Sequence, residues 1–222
     1  MKGRLIIIEA GDGCGKATQT KILAERLKSE GKLVKQVSFP DYQSESSALI
    51  KMYLQGAFGK DPAAVNAYAA SVFYAVDRYA SFRLKWQEAY ESGAIILADR
   101  YTTSNMVHQA VKIQDYQERE AYLAWLWDFE FVKMGLPVPD AVLFLDLAPC
   151  YSATLIEERA KQLNCQKDIH EQDQTYLTKC YDAYTALAKK YGWKVIACAK
   201  DDKVKSIESI HEDIYRSIQD IL

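Results

Sequence analysis

Residues 4–9 read RLIIIE, a short β-branched apolar run with no alternating polar position, as expected of a strand covered on both faces. The run stops at glycines, and an amphipathic pattern takes over from Lys16 to Glu30, where Gly31 supplies a helix stop. This opening predicts strand, loop, helix. Residues 33–38, 94–98 (AIILA), 141–145 (AVLFL) and 193–198 (WKVIAC) are four further strand candidates, with helical stretches between them. The patterns over 63–92 and 115–134 have the length of long helices, and 203–222 reads as a closing surface helix. Short apolar strands alternating with helices predict an α/β fold: a five-stranded parallel sheet flanked by helices in three layers. Its ligands would sit beyond the carboxyl ends of the strands.

Composition narrows the function classes without choosing one. The 222 residues are 49% hydrophobic and 26% charged, which fits one α/β domain spanning 1–222 with a sizeable core. The net charge of -2 does not favour a sequence-independent grip on nucleic acid. Five scattered cysteines without a C-x-x-C pair argue against a disulfide framework or a zinc site and fit a reducing, cytoplasmic setting. The N-terminal apolar run breaks at Glu9, too short for a signal peptide or a membrane span. No repeat, low-complexity tract or linker interrupts the chain.

The junction of the first strand and helix reads EAGDGCGKATQ. It departs from the phosphate-loop pattern G-x-x-x-x-G-K-S/T by Ala10 in place of glycine and Ala17 in place of a hydroxyl. Glycines at 11, 13 and 15 still let successive N–H groups curl around an anion at a helix N-terminus, and Lys16 supplies the point charge. The expected nucleotide loop is therefore Gly11, Asp12, Gly13, Cys14, Gly15, Lys16, Ala17 and Thr18; the bland alternative is a Gly-rich turn with a solvated lysine. Ala10 is the next smallest residue, and Gly11 is free to take a positive φ. Ala17 lacks a hydroxyl for Mg²⁺, and Thr18 points about 100° away round the helix, so the metal would rest on nucleotide oxygens, waters and a carboxylate from another strand. Asp12 beside phosphates would face a sugar hydroxyl or else stabilise the helix end. Cys14 reads as a small loop filler.

Three further clusters have the right chemistry for a phosphorylated ligand. ADRY sets Asp99 and Arg100 past a buried strand, where a carboxylate can hold Mg²⁺ through water and a guanidinium can fork onto a phosphate; a structural ion pair is the alternative. Asp146, after the fourth strand, is a rival acid read as supporting structure. Tyr74 and Arg78 share a helix face, so a ring can stack on a base while the guanidinium bonds a carbonyl or phosphate; core packing with a surface arginine is the alternative. SFPDY brings Tyr42 within reach of a phosphate, or is a simple turn. Arg159, Lys161 and Lys167 lie in a polar segment that reads as a mobile basic lid around 157–172 or as a solvated helix end. His170 reads as polar surface.

In chain order, EAGDGCGKATQ, SFPDY, FYAVDRYA, ADRYTTSN, PDAVLFLD and DIHEQD resemble the thymidylate kinases, P-loop nucleoside monophosphate kinases that move a phosphoryl group from ATP to dTMP. The resemblance runs over almost the whole chain. It implies the P-loop fold, a Mg²⁺ cofactor and a homodimer joined through apolar helices. It further implies that Asp12 meets the deoxyribose 3'-hydroxyl, Phe39 and Tyr74 flank the pyrimidine, Arg78 bonds its carbonyl and Arg100 grips the acceptor phosphate. Asn105 would bond the base edge and His108 would lie near the sugar. Such kinases carry a catalytic arginine in the loop or in the lid; here the loop offers only Gly13 and Cys14, so the duty falls on Arg159, helped by Lys161 and Lys167. Tyr42 stands where FP-x-R would place an arginine, and DIHE replaces D-R-x-E. The catalytic set is then Lys16, Arg100 and Arg159. The alternatives are a kinase for another pyrimidine nucleotide or deoxynucleoside, and a module that senses nucleotide without turnover.

Overall fold

The computed structural model describes residues 2–151 and 174–222. The expected lid around 157–172, with Arg159, Lys161, Lys167 and His170, lies outside the described residues. Five parallel strands form the sheet: β1 (Arg4–Ala10), β2 (Val34–Ser38), β3 (Ile95–Asp99), β4 (Ala141–Asp146) and β5 (Lys194–Ala197), in the order β2-β3-β1-β4-β5. The first strand is central, which is why its sequence carries no exposed face. Leu5, Ile6, Ile7 and Ile8 are all fully buried, each worth about 1.5–3 kcal/mol of transfer free energy.

Alternate residues feed two cores. Leu5 and Ile7 pack with Ile96, Ala98, Val142 and Phe144 on one face, under α5 (Thr102–His108), α6 (Tyr116–Trp127) and α7 (Gln174–Tyr191). Ile6 and Ile8 pack with Ile95, Leu97, Leu143 and Leu145 on the other, under α1 (Lys16–Ser29) and α8 (Ile207–Ser217). This is the three-layer α/β architecture expected from the alternation of strands and helices.

The long helical patterns are broken into pieces. The stretch predicted at 63–92 resolves into α3 (Ala67–Ser81), a π-helical segment Phe82–Trp86 and α4 (Gln87–Glu91). The stretch at 115–134 resolves into α6 and a π-helical segment Asp128–Lys133. A short α2 (Ala48–Leu54) and an antiparallel hairpin of β6 (Ala199–Lys200) and β7 (Lys203–Val204) were not foreseen. Asp201 and Asp202 form the hairpin turn, with φ of 50° and 58°, the left-handed pair that a two-residue hairpin requires.

Candidate active site

The register of the sheet brings two loops to one edge. Ile8 of β1 lies opposite Asp99 of β3, so residues 11–15 and Arg100 emerge side by side, at the carboxyl ends of the strands. Gly13 and Gly15 have φ of 76° and 79°. The left-handed turns thus fall on these two glycines and not on Gly11, a correction to the sequence reading. Gly15 is the N-cap of α1. Ala10 is fully buried in the second core, where its methyl group packs, which explains why glycine is not needed there. Ala17 and Thr18 are exposed at the first turn. Cys14 is buried, and its thiol donates to the Asp12 carbonyl at 3.6 Å, as a loop filler would.

Lys16 is buried, and its Nζ donates to the carbonyls of Ala10 at 3.0 Å and Gly11 at 2.8 Å. Burial pulls its pKa down and the Arg100 charge adds to the effect, against the opposing carboxylates of Asp12 and Asp99. The Asp99 carboxylate accepts no hydrogen bond from the described residues. Asp146 instead accepts the Tyr181 hydroxyl at 2.9 Å, in keeping with a supporting role.

Arg100 occupies the middle of the site. Its φ is 69°, its N–H donates to the Ile8 carbonyl at 3.2 Å, and its guanidinium is paired with Asp12. Its Nη1 also donates to Ser104 Oγ at 3.1 Å and to the Tyr184 hydroxyl at 3.2 Å, and lies 3.4 Å from His108 Nε2. Behind these groups sits Glu9, fully buried at the end of β1. It accepts from Thr103 Oγ1 at 2.6 Å, Ser104 Oγ at 2.8 Å, Tyr184 OH at 2.9 Å and the Tyr101 N–H at 3.3 Å. Burial works against the Arg100 charge, but Asp12, Tyr184, Glu9 and Asp99 outweigh it and hold the pKa well above the usual arginine value.

A cleft opens beside this centre. Asp12, Phe39, Tyr42, Tyr74, Arg78, Arg100, Asn105 and His108 all line it, so the structure brings every residue expected at the acceptor to one place. Asp77 organises its entrance: it is buried, accepts from the Asp41 N–H at 2.8 Å and the Ser46 hydroxyl at 2.6 Å, and pins the loop after β2 to α3. That loop contains a cis Phe39–Pro40 bond. Phe39 is buried against Tyr101 at a ring distance of 5.8 Å, whereas Tyr42 is half exposed at the rim. Asn105 is buried, and its Nδ2 donates to the Ser71 carbonyl at 3.4 Å.

Arg78 is not a surface arginine. It is buried and bonded to Glu130, with Nε donating to Oε2 at 2.7 Å and Nη2 to Oε1 at 2.5 Å. Burial lowers its pKa, but the Glu130 charge and hydrogen bond reverse the sign and leave it raised.

The residues matched by the family model of thymidylate kinase run from 8 to 214, so both loops and the whole cleft lie inside the match. The chain belongs to the thymidylate kinase family. A thymidylate kinase from Synechococcus is 30% identical over 208 residues, covering 91% of each chain. The human thymidylate kinase is 27% identical over 215 residues, covering 96% of this chain and 88% of its own. The solved thymidylate kinase of Candida albicans superposes with a TM-score of 0.72 over 99% of this chain and 92% of that one, at 23% identity, and confirms the fold.

Set on this thymidylate kinase frame, four residues of the site were not singled out in the sequence. Glu9 and Glu130 are buried carboxylates whose partners lie far along the chain. Tyr184 sits mid-helix among other tyrosines. Gln109 lines the cleft, is buried, and has an Oε1 with no hydrogen-bond partner among the described residues. Of these, only Glu9 had a local signal: a carboxylate closing an otherwise apolar buried strand has to be satisfied somewhere.

Proposed function

We propose that the protein transfers the γ-phosphoryl group of ATP to dTMP. An acceptor phosphate oxygen forms the new bond to the γ-phosphorus, the bond to the β,γ-bridging oxygen breaks, and dTDP and ADP result. The observation that carries this is the convergence of eight acceptor-type residues on one cleft whose wall is continuous with the glycine loop. The loop amides from 11 to 18 would hold the ATP phosphates, with Lys16 leaving its carbonyl partners to neutralise the moving group. Arg100 would align the acceptor phosphate. That phosphate competes for the guanidinium now paired with Asp12, and so releases the Asp12 carboxylate to accept from the sugar 3'-hydroxyl.

Phe39 and Tyr74 would flank the base, Arg78 and Asn105 would bond its edges, Tyr42 would close the rim, and His108 would face the sugar. From the lid around 157–172, Arg159 would complete charge neutralisation and exclude water, which otherwise competes as nucleophile. A Mg²⁺ ion fits the donor set, since the Asp99 carboxylate has no other hydrogen-bond partner among the described residues and Mg²⁺ takes one or two carboxylates beside nucleotide oxygens. When bound it would neutralise charge on the phosphates. We further propose that the whole chain works as one domain and as a homodimer, joined through the exposed apolar side chains of α3. No helix among the described residues is long and apolar enough to cross a membrane.

A screen of nucleotides and nucleosides with ATP tests the assignment: dTMP is expected to be the preferred acceptor, and a preference for an unphosphorylated nucleoside would refute it. Lys16→Met separates a kinase from a sensor. In a kinase it lowers kcat by about 10³-fold or more, whereas in a sensor it changes only nucleotide affinity.

A further inference from the structure

Glu130 is fully buried in the π-helical segment Asp128–Lys133. The wide turn shows in the Met134 N–H, which donates to the Phe129 carbonyl five residues back at 2.9 Å. Single π turns of this kind concentrate at functional sites. From here the carboxylate reaches across to Arg78 on α3 and takes up Nε and Nη2. Its Oε2 also accepts from Thr102 Oγ1 at 2.6 Å, at the first residue of α5. Stability alone gives no reason for such a pair, because apolar side chains of similar volume often replace a buried ion pair without loss.

The pair does fix a direction. A guanidinium is a rigid planar fork, so committing Nε and Nη2 to one carboxylate sets the plane and the heading of Nη1. Arg78 lines the cleft together with Phe39 and Tyr74. Both protons of Nη1 are donors, with no capacity to accept. They match a ring carbonyl and are mismatched to an amino group in its place. Two rings flanking a base limit its tilt but not its identity; the fixed donor supplies the identity.

We propose that Glu130 is a positioning residue for acceptor specificity: by holding the Arg78 guanidinium in one orientation, it makes the cleft select pyrimidines that carry a carbonyl over those that carry an amino group. This rests on the reading of Arg78 as the base-bonding residue. With the carboxylate removed, the fork turns toward other acceptors on the base, and the mismatch against the amino form weakens.

The test uses the full chain at saturating ATP and measures kcat and KM with dTMP and dCMP. Glu130→Gln is expected to raise KM for dTMP about tenfold while kcat stays within about threefold, and to cut the dTMP to dCMP ratio of kcat/KM about tenfold. Glu130→Asp, which restores the charge, is expected to recover part of that ratio. An unchanged ratio in Glu130→Gln, together with a lost ratio in Arg78→Ala, overturns the inference and leaves the base-bonding role of Arg78 intact. A ratio that survives Arg78→Ala overturns the base-bonding reading itself. Should Glu130→Gln not fold, Glu130→Asp decides: the shorter side chain keeps the charge but cannot hold the two-pronged bond at the same reach, and a ratio about threefold below that of the wild type supports the inference, while a wild-type ratio rejects it.

Discussion

Glu9 draws on donors from two elements: Tyr101, Thr103 and Ser104 around the start of α5, and Tyr184 from α7. Two of these, Ser104 and Tyr184, also accept from Arg100, so the carboxylate holds the guanidinium through intermediates that polarise one another. Glu9→Gln keeps the volume but turns an N–H₂ toward hydroxyls already committed as donors. It should lower stability in urea by about 1–3 kcal/mol and raise KM for dTMP more than KM for ATP. Equal effects on both substrates would mean that Glu9 supports only the fold. Lys112 makes a separate prediction about pH. Burial brings its ammonium down to about 8, against the opposing charges of Asp61 and Cys180, although Nζ donates to Tyr53 OH and the Val65 carbonyl, both at 2.9 Å. The unfolded chain holds that proton up to about 10.5, so in the window between these values it binds more protons than the folded protein. The penalty is fully present below about pH 8 and is relieved as pH rises, so stability increases with pH there. Relative to Lys112→Met, the wild type should gain about 2 kcal/mol between about pH 7 and about pH 10, measured by urea denaturation; a difference that stays flat with pH would refute it.

Elements differed in how far the sequence revealed them, and the reason is where each finds its stabilising partners. The strands were legible because their apolar runs are buried on both faces, and α1 because an amphipathic run ends at Gly31. By contrast α5, TTSNMVH, has no apolar stripe and no side-chain cap of its own. Its first-turn donors go to Glu9, some 92 to 95 residues away, and to Glu130, 28 residues away, and no local pattern contains those partners. The π-helical segments escaped for a related reason: an i to i+5 turn leaves the apolar pattern nearly helical. The types of residue lining the acceptor cleft were readable; their fixed orientations, set by Asp12, Glu9 and Glu130, were not. Arg100 shows the backbone side of this. A left-handed φ costs a non-glycine residue about 1–2 kcal/mol, and this one is held between β3 and α5 by its N–H bond to Ile8. Arg100→Ala and Arg100→Gly should both abolish turnover, yet the glycine variant should be the more stable of the two by about 1 kcal/mol. Thermal unfolding of the pair measures it, and an alanine variant as stable as the glycine one would show that no strain is stored there.

At the scale of the molecule, α3 has two working faces. Tyr74 and Arg78 look into the cleft, while Tyr68, Val72, Val76 and Tyr79 are 42%, 36%, 46% and 39% exposed. Their spacing of four, four and three residues puts these side chains on one stripe. Two residues from Val72 to Tyr74 turn the helix by about 200°, so the stripe lies opposite the site. A continuous apolar stripe on a helix that also lines the cleft is what an interface with a second copy would bury. Pairing there would brace α3 from behind and hold Tyr74 and Arg78 against the base. Val72→Asp combined with Val76→Asp places two charges in that contact, where association would have to desolvate them. Sedimentation should show the wild type as a dimer and the variant as a monomer. The monomer's KM for dTMP should rise several-fold with kcat less affected, because the disturbed helix carries the proposed base contacts and not the glycine loop. A wild type that sediments as a monomer at micromolar concentration would end the interface proposal, and a monomeric variant with unchanged KM would show that the two faces of α3 act independently.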